Sequence, residues 1–504
     1  MHSHSSSQAC QVSRRTFLRG GAAAAIGLPS VPGWGEPAST APVSFRPNAD
    51  FLAAAVETAR WVRSAERKTE QGSYWLPEPD HPDKLTTVSP IGGFYSGSAG
   101  TILFFLQLAK ATQDASYLQD ATRAADYLAA TWRTLPAGDE RIPGTKLSFY
   151  TGLSGPAFVL AETWKATGDS RYKEAALAAT DYIANAAKPA GGGLAWSSSP
   201  GVIGDGSVIL YLLYAARTFQ RDAYCKLASR GGDRLLELAS TQPKGGLSWK
   251  GVSSSALGLP EEAYFPNFEL GTAGVAYVLA RLYEETGEAR FLEAAKQGAL
   301  HLQTIATVDR DRALIPYRYP DLTDIYYLGF CHGPAGSARL FYQLYKVTKD
   351  PAYLEWAERL AGGIIASNIP DRLTPGFWNV VCQCCGSAGV TDFFLGLWAA
   401  TGKTEYYAFA NKVADQALGR QTDLDGKGYR WYQAWTRVKP WEVTAETGYS
   451  IGASGVGSAL LHAALAQKGG YEAILLPDNP FPSKRDEEPE ARSSESLREF
   501  EYLP

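Results

Sequence analysis

Seven apolar runs recur along the chain, and each opens on a short glycine turn. The turns read Gly97-Ser98-Ala99-Gly100, Gly152-Leu153-Ser154-Gly155, Gly204-Asp205-Gly206-Ser207, Gly271-Thr272-Ala273-Gly274, Gly333-Pro334-Ala335-Gly336, Gly386-Ser387-Ala388-Gly389 and Gly452-Ala453-Ser454-Gly455. The runs that follow, such as 101–110, 156–165, 275–283 and 337–345, are apolar over most of their surface, which predicts helices packed on several sides. The glycines let the chain turn tightly into each helix and let neighbouring backbones approach.

After each apolar run comes a polar turn and a second, more amphipathic segment. The turns include Thr112-Gln113-Asp114, Thr167-Gly168-Asp169, Thr286-Gly287-Glu288, Thr348-Lys349-Asp350 and Thr401-Gly402-Lys403. Thr and Asp there are good N-caps, and they predict second helices such as 171–187 and 353–367. The first helix, expected over 48–67, is of the amphipathic type, and the last, over 456–467, is of the apolar type. Seven of each kind, amphipathic first and apolar last, predict an all-α fold: an (α/α) toroid of seven helical hairpins over 48–470, closed by its two ends. Apolar helices would line the ring and amphipathic ones would sheath it. Inserts rich in Gly and Trp, 243–249 and 425–431, are expected to form small hairpins on the face where the glycine turns emerge. From 478 to 504 the chain turns charged and proline-containing, which predicts a disordered tail.

Composition adds limits to this picture. A net charge of -4 gives no reason to expect a nucleic acid or an anionic surface as partner. Residues 1–41 resemble a twin-arginine signal peptide: Ser13-Arg14-Arg15-Thr16-Phe17-Leu18 precedes a weakly apolar stretch. Export to the periplasm or the exterior is therefore expected. No other stretch is apolar enough to predict a membrane span.

Of the six cysteines, Cys10 lies in the leader and Cys225 stands alone, while Cys331, Cys382, Cys384 and Cys385 cluster at two neighbouring glycine turns. A disulfide framework spreads cysteines through a small domain, so clustering in a large one favours metal or redox chemistry. If all seven turns lie at one end of the ring, Cys331, His332, Cys384 and Cys385 converge at one cavity mouth. Three or four such ligands suit Zn²⁺ with an open position for substrate or water. Buried cysteines acting as small hydrophobes, or a Cys384-Cys385 vicinal disulfide, are the competing readings. Other polar residues near the cavity are Glu269, Asp205, Tyr327, Glu442, Glu446 and Tyr449, with Glu269 the best candidate for acid/base work.

The segments Gly329-Phe330-Cys331-His332-Gly333-Pro334-Ala335-Gly336 and Cys384-Cys385-Gly386-Ser387-Ala388-Gly389 resemble the zinc-binding segments of the lanthionine synthetase C-like family. That family has a seven-hairpin α/α toroid, and the likeness covers about 48–470. Carried over by repeat position, it implies Cys331, Cys384 and Cys385 as metal ligands, Cys385 standing where the family has His, with His332 close by. In the family's cyclases a zinc-bound peptide thiolate adds to a dehydroamino acid, and a nearby His and Asp move protons. This chain has Leu270 at the family's His position, and no aspartate within 146–150. The resemblance thus implies a zinc protein that activates a thiol, from a peptide or a small molecule, for addition to an electrophile. His332 and Glu269 are then the catalytic candidates. A carbohydrate-active toroid working through paired carboxylates and a non-catalytic zinc or thiol scaffold are the two other readings.

Overall fold

A computed structural model of the chain describes residues 50–82, 91–135, 144–252 and 260–483. Residues 1–41, expected to act as an export signal, lie outside them. The apolar runs form helices α2 (Ser98–Thr112), α4 (Ser154–Thr167), α6 (Asp205–Phe219), α8 (Thr272–Thr286), α10 (Pro334–Thr348), α12 (Ser387–Thr401) and α14 (Ala453–Gln467). The amphipathic segments form α3 (Ala115–Thr131), α5 (Ser170–Asn185), α7 (Asp222–Glu237), α9 (Ala289–Ile305), α11 (Pro351–Ala366) and α13 (Thr404–Leu418). Each packs against the apolar helix before it, and α1 (Phe51–Ser64) packs against α14. The fold is an α/α toroid, with hairpin seven assembled from the first helix and the last.

The polar turns owe their recurrence to one hydrogen-bond pattern. In five hairpins the Thr hydroxyl donates to the carbonyl four residues back and accepts the N–H two residues on, as Thr348 does with Leu344 at 2.7 Å and Asp350 at 3.2 Å. Asp350 then caps α11 by accepting the Ala352 N–H at 3.0 Å, which satisfies an orphan donor of the first turn.

At the opposite end, five two-stranded hairpins follow outer helices among the described residues or border the last glycine turn. They are β1–β2 (Glu66–Thr69, Gly72–Trp75), β3–β4 (Lys188–Ala190, Gly193–Ala195), β5–β6 (Ser240–Thr241, Leu247–Ser248), β7–β8 (Thr307–Asp309, Arg312–Leu314) and β9–β10 (Gln433–Ala434, Val443–Thr444). The 243–249 insert forms β5–β6, as expected, and 425–431 closes through a bridge between Thr422 and Arg430. The tryptophans of these inserts do structural work. The indoles of Trp75, Trp196, Trp249 and Trp431 donate to the carbonyls of Val62, Ile183, Leu235 and Ala417, each at 2.7–2.8 Å. Each thereby adds a hydrogen bond to a carbonyl in the last turn of an outer helix, where intrahelical donors run out.

Closure of the ring is visible in the main chain. At five of the seven turns the backbone N–H two residues before the first Gly donates to the next repeat: Tyr95 to Tyr150 at 2.8 Å, Glu269 to Cys331 at 2.9 Å, Cys331 to Cys384 at 3.1 Å, Cys384 to Ser450 at 2.9 Å, and Ser450 to Tyr95 at 2.8 Å. The last of these joins repeat seven to repeat one.

Two boundaries differ from expectation. The first helix stops at Ser64, because Arg67 belongs to β1. The tail expected from Asp478 does not start there: Asp478 and Phe481 are buried, and the rest of the expected tail, 484–504, lies outside the described residues. The segment 471–483 enters the ring from the end away from the glycine turns. Arg281 of α8 donates to the Pro477 carbonyl at 3.0 Å, and Arg339 of α10 donates to the Asp478 carboxylate at 3.0 Å. The Tyr150 hydroxyl also donates to that carboxylate, and Phe481 stacks on Tyr342 at 4.6 Å. Together these groups fill one end of the lumen and leave the other open. Among the described residues, no helix is long and apolar enough to cross a membrane.

Candidate metal centre

The glycine turns fix the cysteines. Gly329 brings repeat five against repeat six so closely that a Cβ there would lie 2.6 Å from the Cα, C and O atoms of Cys385. With the Cys331–Cys384 backbone bond, this holds the two cysteine-bearing turns side by side. The Cys331 and Cys385 sulfurs are 3.1 Å apart, and those of Cys385 and Cys384 are 3.7 Å apart. All three lie within 4.8 Å of one another, and Cys331 and Cys384 are almost fully buried.

This geometry fits a tetrahedral zinc ion. Zn–S bonds of about 2.3 Å place sulfurs about 3.8 Å apart, so the 3.7 Å pair is already at that spacing and the 3.1 Å pair needs only to open. Without a metal the three thiols share one proton-poor position. Hydrogen bonds from Cys331 and then Cys385 hold Cys384 well below the usual thiol range. Burial pushes Cys331 up, and the hydrogen bond with Cys331 does the same to Cys385. The amide of Cys385 donates to the Cys382 sulfur at 3.4 Å, which gives that fourth thiol a place beside the cluster.

Glu269, Cys331 and His332 form a second group whose ligand atoms lie within 4.8 Å of one another. The His332 ring packs on Phe265 at 4.9 Å and edge-on against Tyr317 at 5.1 Å. Burial in that aromatic cage holds its pKa down at about 4, so the imidazole is neutral. Its Nδ1 has no partner among the described residues.

Both groups border a cavity of about 380 Å³ on the face of the glycine turns. Its walls are aromatic, with Tyr317 stacked on Tyr327 at 4.1 Å and Trp378 edge-on to Tyr327 at 5.1 Å. The β9–β10 loop borders the rim and carries the exposed Trp435 and Trp441.

The structure therefore brings together Cys331, Cys384, Cys385, His332 and Glu269, with Tyr327 and Glu446 on the same cavity. Other sequence candidates fall elsewhere. Glu442 is exposed and paired with Lys439 at 3.0 Å. Asp205 accepts the Trp196 N–H at 3.1 Å and anchors β4. Tyr449 is buried on the inner side of the turns, in a small gap of about 40 Å³ behind Cys384. Behind Cys384 the sequence also concealed a chain of polar groups. Gln383 donates to Asp392 at 2.7 Å, and Asp392 lies 2.8 Å from His462 Nδ1. Asp392, the sixth residue of α12, and His462, the tenth of α14, were the available signal, since both are polar residues inside otherwise apolar helices.

The model of the family described as lanthionine synthetase C-like protein matches residues 92–468. Among solved structures, nisin cyclase superposes with a TM-score of 0.54 at 15% identity, over 77% of this chain and 91% of its own. An inactive variant of an alpha-1,6-mannanase of Salegentibacter sp. HEL1_6 gives 0.44 at 13%, over 83% and 99%. A D-mannose isomerase gives 0.41 at 17%, over 63% and 86%. At such identities the first likeness concerns the fold alone, and the other two are too distant to add to it. No curated protein sequence matches the chain.

Proposed function

The chain belongs to the lanthionine synthetase C-like family, and on that premise we propose that it holds one zinc ion through Cys331, Cys384 and Cys385 and adds a thiol to an electrophilic alkene. The convergence of three sulfurs from adjacent repeats on one cavity carries this reading. When bound, the ion would supply a position at which an incoming thiol is held as its thiolate.

The protein's own groups provide the remainder. Glu269, beside Cys331, accepts the proton that the incoming thiol gives up. The neutral His332 and its aromatic cage wall the site and exclude water, so charges inside interact more strongly than they would in solvent. Leu270 stands where the family's cyclases have a histidine, so lanthipeptide cyclisation itself is not the activity proposed. A small thiol or a cysteine-bearing peptide fits an aromatic cavity of about 380 Å³. The twin-arginine motif at 13–18 supports an exported enzyme that works in the periplasm or outside the cell.

The test is zinc analysis of the purified protein beside Cys331→Ala, Cys384→Ala and Cys382→Ala, followed by turnover with N-acetylcysteine and a dehydroalanine peptide. The reading requires about one zinc per chain, lost in the first two variants and kept in Cys382→Ala, together with thioether product. Zinc without product would leave a metal-binding scaffold; no zinc in the freshly reduced wild type removes the proposal.

A further inference from the structure

The cavity that Glu269 lines also holds a second carboxyl group that the reading above does not use. Glu446 is 8% exposed and lines the cavity, and its Oε2 has no hydrogen-bond partner among the described residues. It stands six residues before the glycine turn of repeat seven. The residues at that register in the preceding repeats are Phe265, Tyr327 and Val380, all of them cavity-lining. A carboxyl therefore occupies a socket that is otherwise aromatic or aliphatic.

The influences on its charge are burial first, then Glu78 and Cys382, all of which oppose ionisation, with the nearby Ser96 hydroxyl acting weakly the other way. Burial and a second buried acid, Glu78, push Glu446 well above the usual carboxylate range, which favours its protonated form.

We propose that Glu446 is the general acid of this cavity, delivering its proton to the α-carbon of the alkene as the thiol sulfur bonds to the β-carbon. The inference rests on the thiol-addition reading. In the step, the sulfur lone pair forms the C–S bond, the alkene π pair moves to the α-carbon, and that carbon takes the Glu446 proton. The O–H pair remains on Glu446 as carboxylate. The thiol's own proton is collected by Glu269 and given up to solvent when product leaves, and Glu446 takes one back from solvent, so thiol and alkene add with nothing lost.

The test compares wild type, Glu446→Gln and Glu446→Asp as zinc-loaded full-length protein. The infrared difference spectrum of wild type minus Glu446→Gln at pH 7 is expected to show a protonated carboxyl band; its absence overturns the assignment whatever the turnover. With N-acetylcysteine and a dehydroalanine peptide, Glu446→Gln is expected to lose roughly 10²–10⁴-fold in kcat. Zinc content and melting temperature should stay unchanged, and Glu446→Asp should recover part of the rate. An active wild type with an equally active Glu446→Gln overturns this assignment alone. An inert wild type overturns it together with thiol addition, and loss of zinc in Glu446→Gln makes the residue structural.

Discussion

Gly329→Ala tests whether Cys385 is held as a ligand or merely lies near the other thiols. A methyl group at 329 would meet the Cα, C and O atoms of Cys385 at 2.6 Å, closer than carbon side chains approach backbone in real proteins, where about 3.0 Å is the floor. The Cys385 backbone must therefore retreat by at least about 0.4 Å, twice the roughly 0.2 Å that a metal–ligand distance tolerates. Overpacking of this kind costs about 1–3 kcal/mol of stability, and displaced support of a ligand costs about 10–100-fold in metal affinity. Gly287→Ala is the matched control, because its φ of +71° strains any side chain although nothing lies within 4 Å. Such a left-handed residue costs about 1–2 kcal/mol. Both variants should melt below wild type in calorimetry, but only Gly329→Ala should bind zinc 10–100-fold more weakly in competition with a chromophoric chelator. Wild-type zinc affinity in Gly329→Ala would show that Cys385 takes no part in holding the ion.

Two further outcomes are expected. Asp478→Ala leaves the Arg339 guanidinium, only 13% exposed, buried without its counter-charge, so the melt should report about 3–5 kcal/mol of lost stability; the double change Asp478→Leu with Arg339→Met should recover much of it. A double variant no better than the single would mean the pair is not the source of the loss. Asp205, pushed up to about 6 by burial, binds its proton more tightly folded than unfolded. Its contribution is therefore full below the ordinary value of 3.8 and is lost as pH rises to about 6, some 3 kcal/mol in all. Asp205→Asn should flatten the stability curve across that window, and curves that stay parallel to wild type would contradict the assignment.

The repeat was legible because it is written in residues with backbone consequences. Glycine at each inner-helix entry, Thr and Asp at each hairpin turn and apolar residues on every face of α12 or α14 give seven hairpins without reference to a structure. The convergence of the thiols was legible for the same reason: Cys331, Cys384 and Cys385 occupy matching positions of adjacent repeats, so counting along the chain predicts that they meet in space. Register alone could not show which polar residues face the cavity. Glu442 and Glu446 lie four residues apart, yet one pairs with Lys439 in solvent and the other is buried. The fate of 471–483 was hidden by its composition. Asp478 and the prolines around it read as solvated tail, and only Arg281 and Arg339, far away on α8 and α10, provide the partners that bring it indoors. The tryptophan inserts were expected at the cavity face as hairpins; that their indoles cap outer helices depends on distances no local pattern encodes.

The backbone hydrogen bonds that join successive repeats have a consequence for how such a site changes over time. Tyr95, Tyr150, Glu269, Cys331, Cys384 and Ser450 stand at one repeat position, and the main-chain bonds between neighbours involve no side chain. Each is a socket whose scaffold is indifferent to its occupant. A metal-binding or proton-moving group can be lost at one socket and regained at the next by single substitutions, with the scaffold unaltered. The toroid thus behaves as a dial: the chemistry it presents can rotate by one repeat while the fold stays still.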